Sequence, residues 1–141
     1  MGYQAMYEVD LKSSRQAVFA ALMDFGGIGK LLPEGAILSV ECEGSGIGAL
    51  RTIQLGEPSG FPGEVVERLD VAYEEKVFAY SIVGVPSLPI DNYVAVVELS
   101  DNADGGCHVK WGSNWTTTGD MSEQEMAPTL AGLYEAILSN F

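Results

Sequence analysis

Six segments with alternating apolar and polar residues follow one another through the middle of the chain, and they constrain the fold more than any other feature. Alternation with a period of two is typical of β-strands that bury one face. Because only short turns separate the segments, sequential strands are expected to pair as antiparallel neighbours. One such turn is GSGIG at Gly44–Gly48. The six segments are Ile37–Glu43, Ala49–Leu55, Glu64–Asp70, Val77–Val83, Tyr93–Leu99 and Cys107–Thr117.

A further strand and two short helices are predicted before this block. Tyr3–Leu11 alternates in the same way and indicates a seventh, half-buried strand. Ser13 and Gln16 have the spacing of a capping box, so a helix is predicted from there to the Gly26-Gly27 stop. A second helical turn is predicted over Ile28–Leu32. The apolar positions of the first helix are Ala17, Val18, Ala21, Leu22 and Phe25.

A long helix is predicted over the last twenty or so residues, from Ser122 to Phe141. Ser122 and Glu125 again have capping-box spacing, whereas Pro128 fits only a first helical turn, so the helix begins near Ala127 or is kinked. Its apolar stripe is formed by Met126, Leu130, Leu133, Tyr134, Ile137 and Leu138. The order β-α-α-β6-α predicts an α+β fold in which helices lie on one side of a seven-stranded antiparallel sheet. The 141 residues are expected to form a single domain, residues 1–141.

The net charge and the hydropathy of the chain exclude several classes of function. Seven basic and twenty acidic side chains give a formal net charge of −13, which repels phosphate backbones and anionic lipid headgroups. Nucleic-acid binding is therefore not expected, and an acidic surface also disfavours anionic ligands. The apolar runs are too short to insert into a membrane, and the N-terminal residues lack the pattern of a secretory signal. We expect a soluble, cytoplasmic protein.

No metal or cofactor site is predicted. Cys42 and Cys107 lie in strand-like segments without neighbouring ligands, and we expect both to be small core residues. His108 is the single histidine, and strand alternation places it on the opposite face from the tryptophans, so it is expected to be a solvated strand residue. The sequence contains no GxGxxG or Walker motif.

Two loops rich in glycine and proline interrupt the strands, at Gly56–Gly63 and Gly84–Pro89. They carry apolar residues, Phe61, Val85 and Leu88, where loop tips are usually polar. Such tips suggest lids that close over an apolar site. Two alternatives are that the tips fold back on the core, or that they dock a partner protein or a second copy of the chain as a homodimer.

The element order resembles the helix-grip fold of the START-like (SRPBCC) superfamily, which includes polyketide cyclases, lipid-transfer START domains and the birch pollen allergen group. The segments SGFPGEVVERLD, YSIVG and DNY also resemble the plant abscisic acid receptors, in which a gate loop SGLPA is followed by ERLD, and FSIVGG precedes a latch loop and NY. The resemblance implies a gate loop at 56–63 centred on Ser59–Gly63. It implies a latch loop at 84–89 centred on Val85–Pro89.

The resemblance further implies a cavity between the sheet and the C-terminal helix that binds a small hydrophobic ligand, neutral or weakly polar and partly cyclic. Because alternate side chains of a strand point to the same face of the sheet, several of the implied residues are expected to share a face. The alternative is that the aromatic rings fill the interior and leave no cavity. The implied ligand-binding residues are Ile53, Leu55, Phe61, Pro62, Val65, Glu67, Tyr80, Ile82, Leu88, Tyr93, Ala95, Trp111, Ser113, Trp115, Met126, Leu130 and Tyr134.

Three departures separate this chain from the hormone receptors, and one of them is that the ERLD segment lies one residue nearer the gate. The lysine that holds the hormone carboxylate has no equivalent here, because Lys30 lies too early in the segment. The latch loop has Pro86, Ser87 and Leu88 where the receptors have a His-Arg pair. The resemblance therefore extends to the cavity and its lids and not to abscisic acid as the ligand.

Arg51 and Glu67 are the charged residues that strand parity places on the inner face. Burial penalises each charge unless the two pair or meet a polar ligand group. They form a structural ion pair, a polar anchor for a carbonyl or hydroxyl, or an acid/base pair. In the last case the chain is a polyketide cyclase-like or dehydratase-like enzyme with Glu67 as base and Arg51 or a tyrosine as electrophile.

Overall fold

The computed structural model describes residues 2–141 and confirms the α+β helix-grip architecture. Seven strands, two α-helices and two 3-10 helices follow one another along the chain. Their order is β1 (Ala5–Leu11), α1 (Arg15–Met23), a 3-10 helix (Phe25–Leu31), β2 (Ile37–Glu43), β3 (Leu50–Leu55), a short 3-10 helix (Glu57–Ser59), β4 (Gly63–Tyr73), β5 (Val77–Val83), β6 (Ile90–Asp101), β7 (Cys107–Thr117) and α2 (Glu123–Leu138).

The strands form one antiparallel sheet in the order β1-β7-β6-β5-β4-β3-β2. Strands β2 to β6 each pair with the next strand in sequence, whereas β1 joins β7, so β1 and β2 are the two edges. Helix α2 packs against β1 and β7. Buried side chains of α2, such as Met126 and Leu130, share one core with Trp111 of the sheet. The core and the candidate site therefore lie on the same side of the sheet.

Strands β4 and β6 are longer than the sequence pattern predicts. The pairing register shifts between Leu69 and Val71 in β4 and between Asp91 and Val94 in β6. Asn92 has a positive φ of 54° within the second shift. Because a bulge reverses the alternation of faces, the period-two pattern stops before the strand does.

The start of α1 differs from the prediction by one residue. Ser14, and not Ser13, is the N-cap, and its hydroxyl accepts a 3.1 Å hydrogen bond from the Ala17 amide. The Ser13 hydroxyl instead donates to the Phe141 carbonyl at the end of the chain. The helix also ends before the glycine pair, and the predicted second turn is the 3-10 helix that begins at Phe25.

Helix α2 has the predicted capping box and begins directly after Ser122, so the predicted start near Ala127 is wrong. Pro128 lies inside the helix, where it removes one backbone donor. The Thr129 hydroxyl donates to the Glu125 carbonyl at 3.1 Å, in the same turn. Glu125 also closes the capping box, and its charge is favourable at a helix N-terminus. These interactions stabilise the first turns of the helix, in which the proline lies.

The two cysteines have different environments. Cys107 is fully buried, as predicted, but Cys42 is exposed on edge strand β2, so its predicted place in the core is wrong. His108 lies on the outer face of β7, where both ring nitrogens are 2.8 Å from carboxylates, those of Asp10 and Glu8. Within residues 2–141, neither α-helix has the length and apolar character needed to cross a bilayer.

Candidate functional site

A cavity of about 310 Å³ lies between the inner face of the sheet and α2. Its wall is mostly apolar. Exposed residues at its margin include Pro33, Pro58, Thr129 and Leu133, so it reaches solvent between the gate loop, the segment before β2 and α2. Twelve of the residues singled out from the sequence line it: Arg51, Ile53, Leu55, Phe61, Val65, Glu67, Tyr80, Ile82, Leu88, Tyr93, Trp111 and Leu130.

Six other residues implied by the resemblance do not line the cavity. Pro62 is exposed on the gate loop, and Ala95 and Met126 are fully buried in the core. Ser113 and Tyr134 are fully buried in the core, and their hydroxyls are hydrogen-bonded to each other. Trp115 is buried near the end of β7, and its amide donates to the Gln4 side chain.

Part of the wall comes from residues that the sequence analysis did not name as ligand-binding. Segment 28–37 contributes five of them, and it has no regular period from which an inward face can be read. In α2, Leu133 and Ile137 belong to the predicted apolar stripe, whereas Thr129 and Ala136 do not. These wall residues are Ile28, Leu32, Pro33, Ala36, Ile37, Pro58, Ser59, Ile90, Thr129, Leu133, Ala136 and Ile137.

The charged part of the wall is an ion pair between neighbouring strands. Arg51 of β3 lies opposite Glu67 of β4 in the sheet register. The arginine Nε and Nη2 atoms lie 2.8 and 2.7 Å from Oε1 of Glu67, and Nη1 donates to the Phe25 carbonyl at 3.2 Å. The guanidinium also stacks 3.8 Å from the Phe25 ring centroid. With Arg51 only 4% exposed, its charge is neutralised by Glu67 and is almost enclosed.

Only one oxygen of Glu67 is used in this pair. Oε2 accepts no hydrogen bond from residues 2–141, and it is not among the fully enclosed polar atoms of that range. Since Glu67 lines the cavity, Oε2 is an accessible acceptor on the wall.

Four buried hydroxyls form a continuous hydrogen-bonded chain. The Tyr80 and Tyr93 oxygens are 3.2 Å apart, Tyr93 bonds to Tyr134, and Tyr134 donates to Ser113 Oγ at 2.6 Å. Each phenol has one proton, so Tyr93 donates to Tyr134 and Tyr80 donates to Tyr93. Tyr80 and Tyr93 line the cavity. The phenol protons are thus directed along the chain, and Tyr80 presents an acceptor.

The tyrosines are held in their neutral form. Burial raises the pKa of Tyr80 and of Tyr93 well above the ordinary value of 10, and it raises the pKa of Tyr134 to about 12. Trp111 stacks on Tyr134 with 4.8 Å between ring centroids and 8° between planes, which fixes the Tyr134 ring behind the cavity-lining Trp111. At neutral pH the hydroxyl chain therefore carries no charge.

The gate and latch loops are fastened to each other by Ser87. Its hydroxyl donates to the Phe61 carbonyl at 2.8 Å, and its amide donates to the Glu64 carbonyl at 3.0 Å. Gly63 permits this approach, because a Cβ there would lie 2.8 Å from Ser87 Cβ. Phe61 and Leu88 are half-buried and line the cavity, whereas Val85 is 98% exposed. Two tips thus face the cavity and one faces solvent.

The curved sheet, the gripped helix and the cavity between them define a START-like helix-grip protein. Over residues 5–141 the sequence matches the family described as "Polyketide cyclase / dehydrase and lipid transport", and the chain belongs to that family.

Similar proteins come from plants and bacteria. The carrot protein Dau c 1 isoallergen Dau c 1.0401 (Daucus carota subsp. sativus) is 37% identical over 125 residues, covering 80% of this chain and 76% of the relative. The major strawberry allergen Fra a 1-2 (Fragaria ananassa) is 33% identical over 103 residues, covering 67% of this chain and 64% of the relative. The chain thus spans slightly under two thirds of that allergen.

Solved bacterial structures share the fold. The protein XoxI from Bacillus cereus aligns with a TM-score of 0.78 at 20% identity, covering 100% of this chain and 96% of that one. A putative uncharacterized protein from Bacillus thuringiensis aligns with a TM-score of 0.74 at 19% identity, covering 97% of both chains. At these identities the likeness concerns the fold alone.

Proposed function

We propose that residues 1–141 form one ligand-binding domain that holds a small hydrophobic molecule, neutral or weakly polar, between the sheet and α2. The observation that carries this proposal is the cavity of about 310 Å³, whose wall is apolar apart from a neutralised ion pair and a few hydroxyls. Its volume is at the lower end of the roughly 300–1,000 Å³ typical of ligand pockets. The gate loop and the latch loop close over the ligand.

Burial of the ligand's apolar surface is sufficient for micromolar affinity. Each fully buried apolar group of side-chain size contributes about 1.5–3 kcal/mol, so a molecule with two fused rings is expected to bind with a Kd on the order of micromolar. Native mass spectrometry of the protein purified from its own host should show a retained apolar molecule. In parallel, titration with the fluorescent probe N-phenyl-1-naphthylamine should give a saturable increase in emission.

A cavity-filling variant makes this test specific. Ala136 lies on the cavity wall in α2, so Ala136→Phe adds bulk to the site and should weaken probe binding by roughly tenfold or more. Gly132 is exposed on the same helix, and an added Cβ there meets nothing within 4 Å. Gly132→Phe is the matched control. Equal affinity of both variants and the wild type would remove the proposed site.

A second candidate function is catalysis in the same cavity. It is favoured by the accessible Oε2 of Glu67 and by a family description that includes cyclases and dehydrases. In this case Glu67 abstracts a proton from a polyketide-like carbonyl substrate, and Arg51 or a tyrosine steadies the developing oxyanion. Glu67→Gln should then keep the affinity for a neutral carbonyl substrate and abolish turnover. Unchanged turnover in this variant would eliminate the enzymatic role.

A further inference from the structure

The polar groups that the cavity wall presents are mainly hydrogen-bond acceptors. Glu67 contributes a free carboxylate oxygen, and Tyr80 contributes a phenol oxygen whose proton is directed to Tyr93. The strongest donor nearby, the Arg51 guanidinium, is 4% exposed and is already bonded to Glu67 and to the Phe25 carbonyl. A ligand in the cavity therefore finds hydrogen-bond acceptors on the wall but no unpaired positive charge.

Such a wall discriminates between ligands by charge and by proton donation. A carboxylate or sulfonate placed in the cavity would lose its hydration and lie beside the Glu67 carboxylate, with no free positive charge to compensate it. A ring-borne hydroxyl, in contrast, can donate to Glu67 Oε2. Hydrogen bonds to a charged acceptor are stronger than those between neutral groups.

We propose that the cavity selects neutral apolar ligands that donate a hydrogen bond, such as ring-borne hydroxyls, and rejects organic anions, and that Glu67 sets this preference. The inference rests on the proposed ligand-binding function and specifies its ligand class. Glu67 has two effects in this role. It neutralises Arg51, and it provides the acceptor for the ligand.

Glu67→Gln should therefore reverse the selectivity. The side chain keeps its shape, and its amide oxygen can still accept from Arg51, while its NH2 group replaces Oε2 as a donor to the cavity. The positive charge of Arg51 is then uncompensated. An anionic ligand gains both a donor and a counter-charge, and a hydroxyl ligand loses its charged acceptor.

Three compounds with one ring system test the proposal: 2-naphthol, 2-methoxynaphthalene and 2-naphthoate. The readout is displacement of N-phenyl-1-naphthylamine at pH 7. For the wild type we expect 2-naphthol to bind about tenfold more tightly than 2-methoxynaphthalene, and 2-naphthoate to bind more weakly than both. Repeating the titrations in about 0.5 M NaCl screens the long-range repulsion from the net charge of −13, so the remaining discrimination is local.

In Glu67→Gln the affinity for 2-naphthoate should rise by about tenfold or more, and the advantage of 2-naphthol over 2-methoxynaphthalene should shrink. Glu64→Gln is the control, because it removes one negative charge from an exposed position of the same strand.

The double variant Arg51→Met/Glu67→Leu removes both buried charges. It should lose the preference for 2-naphthol without gaining affinity for 2-naphthoate.

The outcomes separate this inference from the function on which it rests. Wild-type protein that binds 2-naphthoate as tightly as 2-naphthol in high salt overturns the selectivity while leaving ligand binding intact. The same conclusion follows if Glu67→Gln and Glu64→Gln give the same order of affinities as the wild type. If neither the fluorescent probe nor any of the three compounds binds, the proposed function itself fails. The wild-type series and the double variant decide the matter if Glu67→Gln does not fold.

Discussion

At the scale of single residues, the buried hydroxyl chain concentrates polar interactions inside an apolar core. Tyr134 occupies its centre, donating to Ser113 and accepting from Tyr93. A buried polar group that loses its partner costs more than the bond contributed, because the group remains desolvated. Tyr134 therefore matters to the fold although it does not line the cavity.

We expect Tyr134→Phe to lower the free energy of unfolding by about 2 kcal/mol, since it leaves the Ser113 hydroxyl without a partner and the Tyr93 hydroxyl without its acceptor. Urea denaturation followed by tryptophan fluorescence measures this change. Tyr73→Phe is the control, because Tyr73 is 59% exposed and makes no side-chain hydrogen bond within residues 2–141. A change no larger than that of Tyr73→Phe would contradict a structural role for the chain.

At the scale of elements, edge strand β1 is joined to β7 by an ionic cluster on the outer face. Hydrogen bonds that the His108 ring donates to the carboxylates of Glu8 and then Asp10 raise the pKa of His108, and the hydrogen bond from His108 lowers the pKa of Asp10. A raised histidine pKa stabilises the fold below the unfolded value near 6.5, and this contribution is lost as pH rises through the folded pKa. A lowered aspartate pKa stabilises above 3.8, and this contribution is lost as pH falls.

The stability difference between wild type and His108→Gln should therefore be largest near about pH 5 and shrink toward pH 8. Because the groups are exposed, added salt should reduce the difference. Thermal unfolding across this pH range provides the measurement. A difference that is constant from pH 5 to pH 8 would show that the cluster contributes nothing through its charges.

The gate and latch loops form a second element-scale unit, in which Ser87 supplies both connecting hydrogen bonds. Ser87→Ala removes the bond to the Phe61 carbonyl and leaves the wall of the cavity unchanged. We expect association and dissociation of N-phenyl-1-naphthylamine each to become faster, by severalfold, with little change in Kd. Stopped-flow fluorescence measures both rates, with Ser45→Ala in the exposed β2–β3 turn as the control. Unchanged rates would mean that the ligand enters elsewhere.

The sequence predicted regular elements well and irregular ones poorly, for physical reasons. Period-two alternation located all seven strands, because each buries one face, but it ended early where bulges in β4 and β6 reverse that alternation. It also placed Arg51 and Glu67 on the inner face. It could not identify wall residues such as Leu32 and Ala36, since their segment has no period. The choice between Ser13 and Ser14 as N-cap depended on Phe141, a tertiary contact far along the chain.

At the scale of the whole molecule, self-association through the gate loop and the latch loop stays a prediction. Val85 is 98% exposed at the tip of the latch loop, and each copy carries a formal charge of −13. Because salt screens repulsion between like-charged copies, the mass measured by light scattering should rise from 15.0 kDa toward that of a dimer as salt is added. Val85→Asp should abolish the rise. Ile47→Asp, in the β2–β3 turn, should not, and a wild type that stays monomeric at every salt concentration refutes the dimer.

The pairing of β1 with β7 has a consequence for how the chain is made. Val9 lies opposite Val109 in the sheet, so β1 must wait until β7 has been synthesised before it finds its neighbour. Contacts between such distant parts of a chain are slow to form. During synthesis β1 is thus an unpaired strand, and the sheet can be completed only when β7 has emerged.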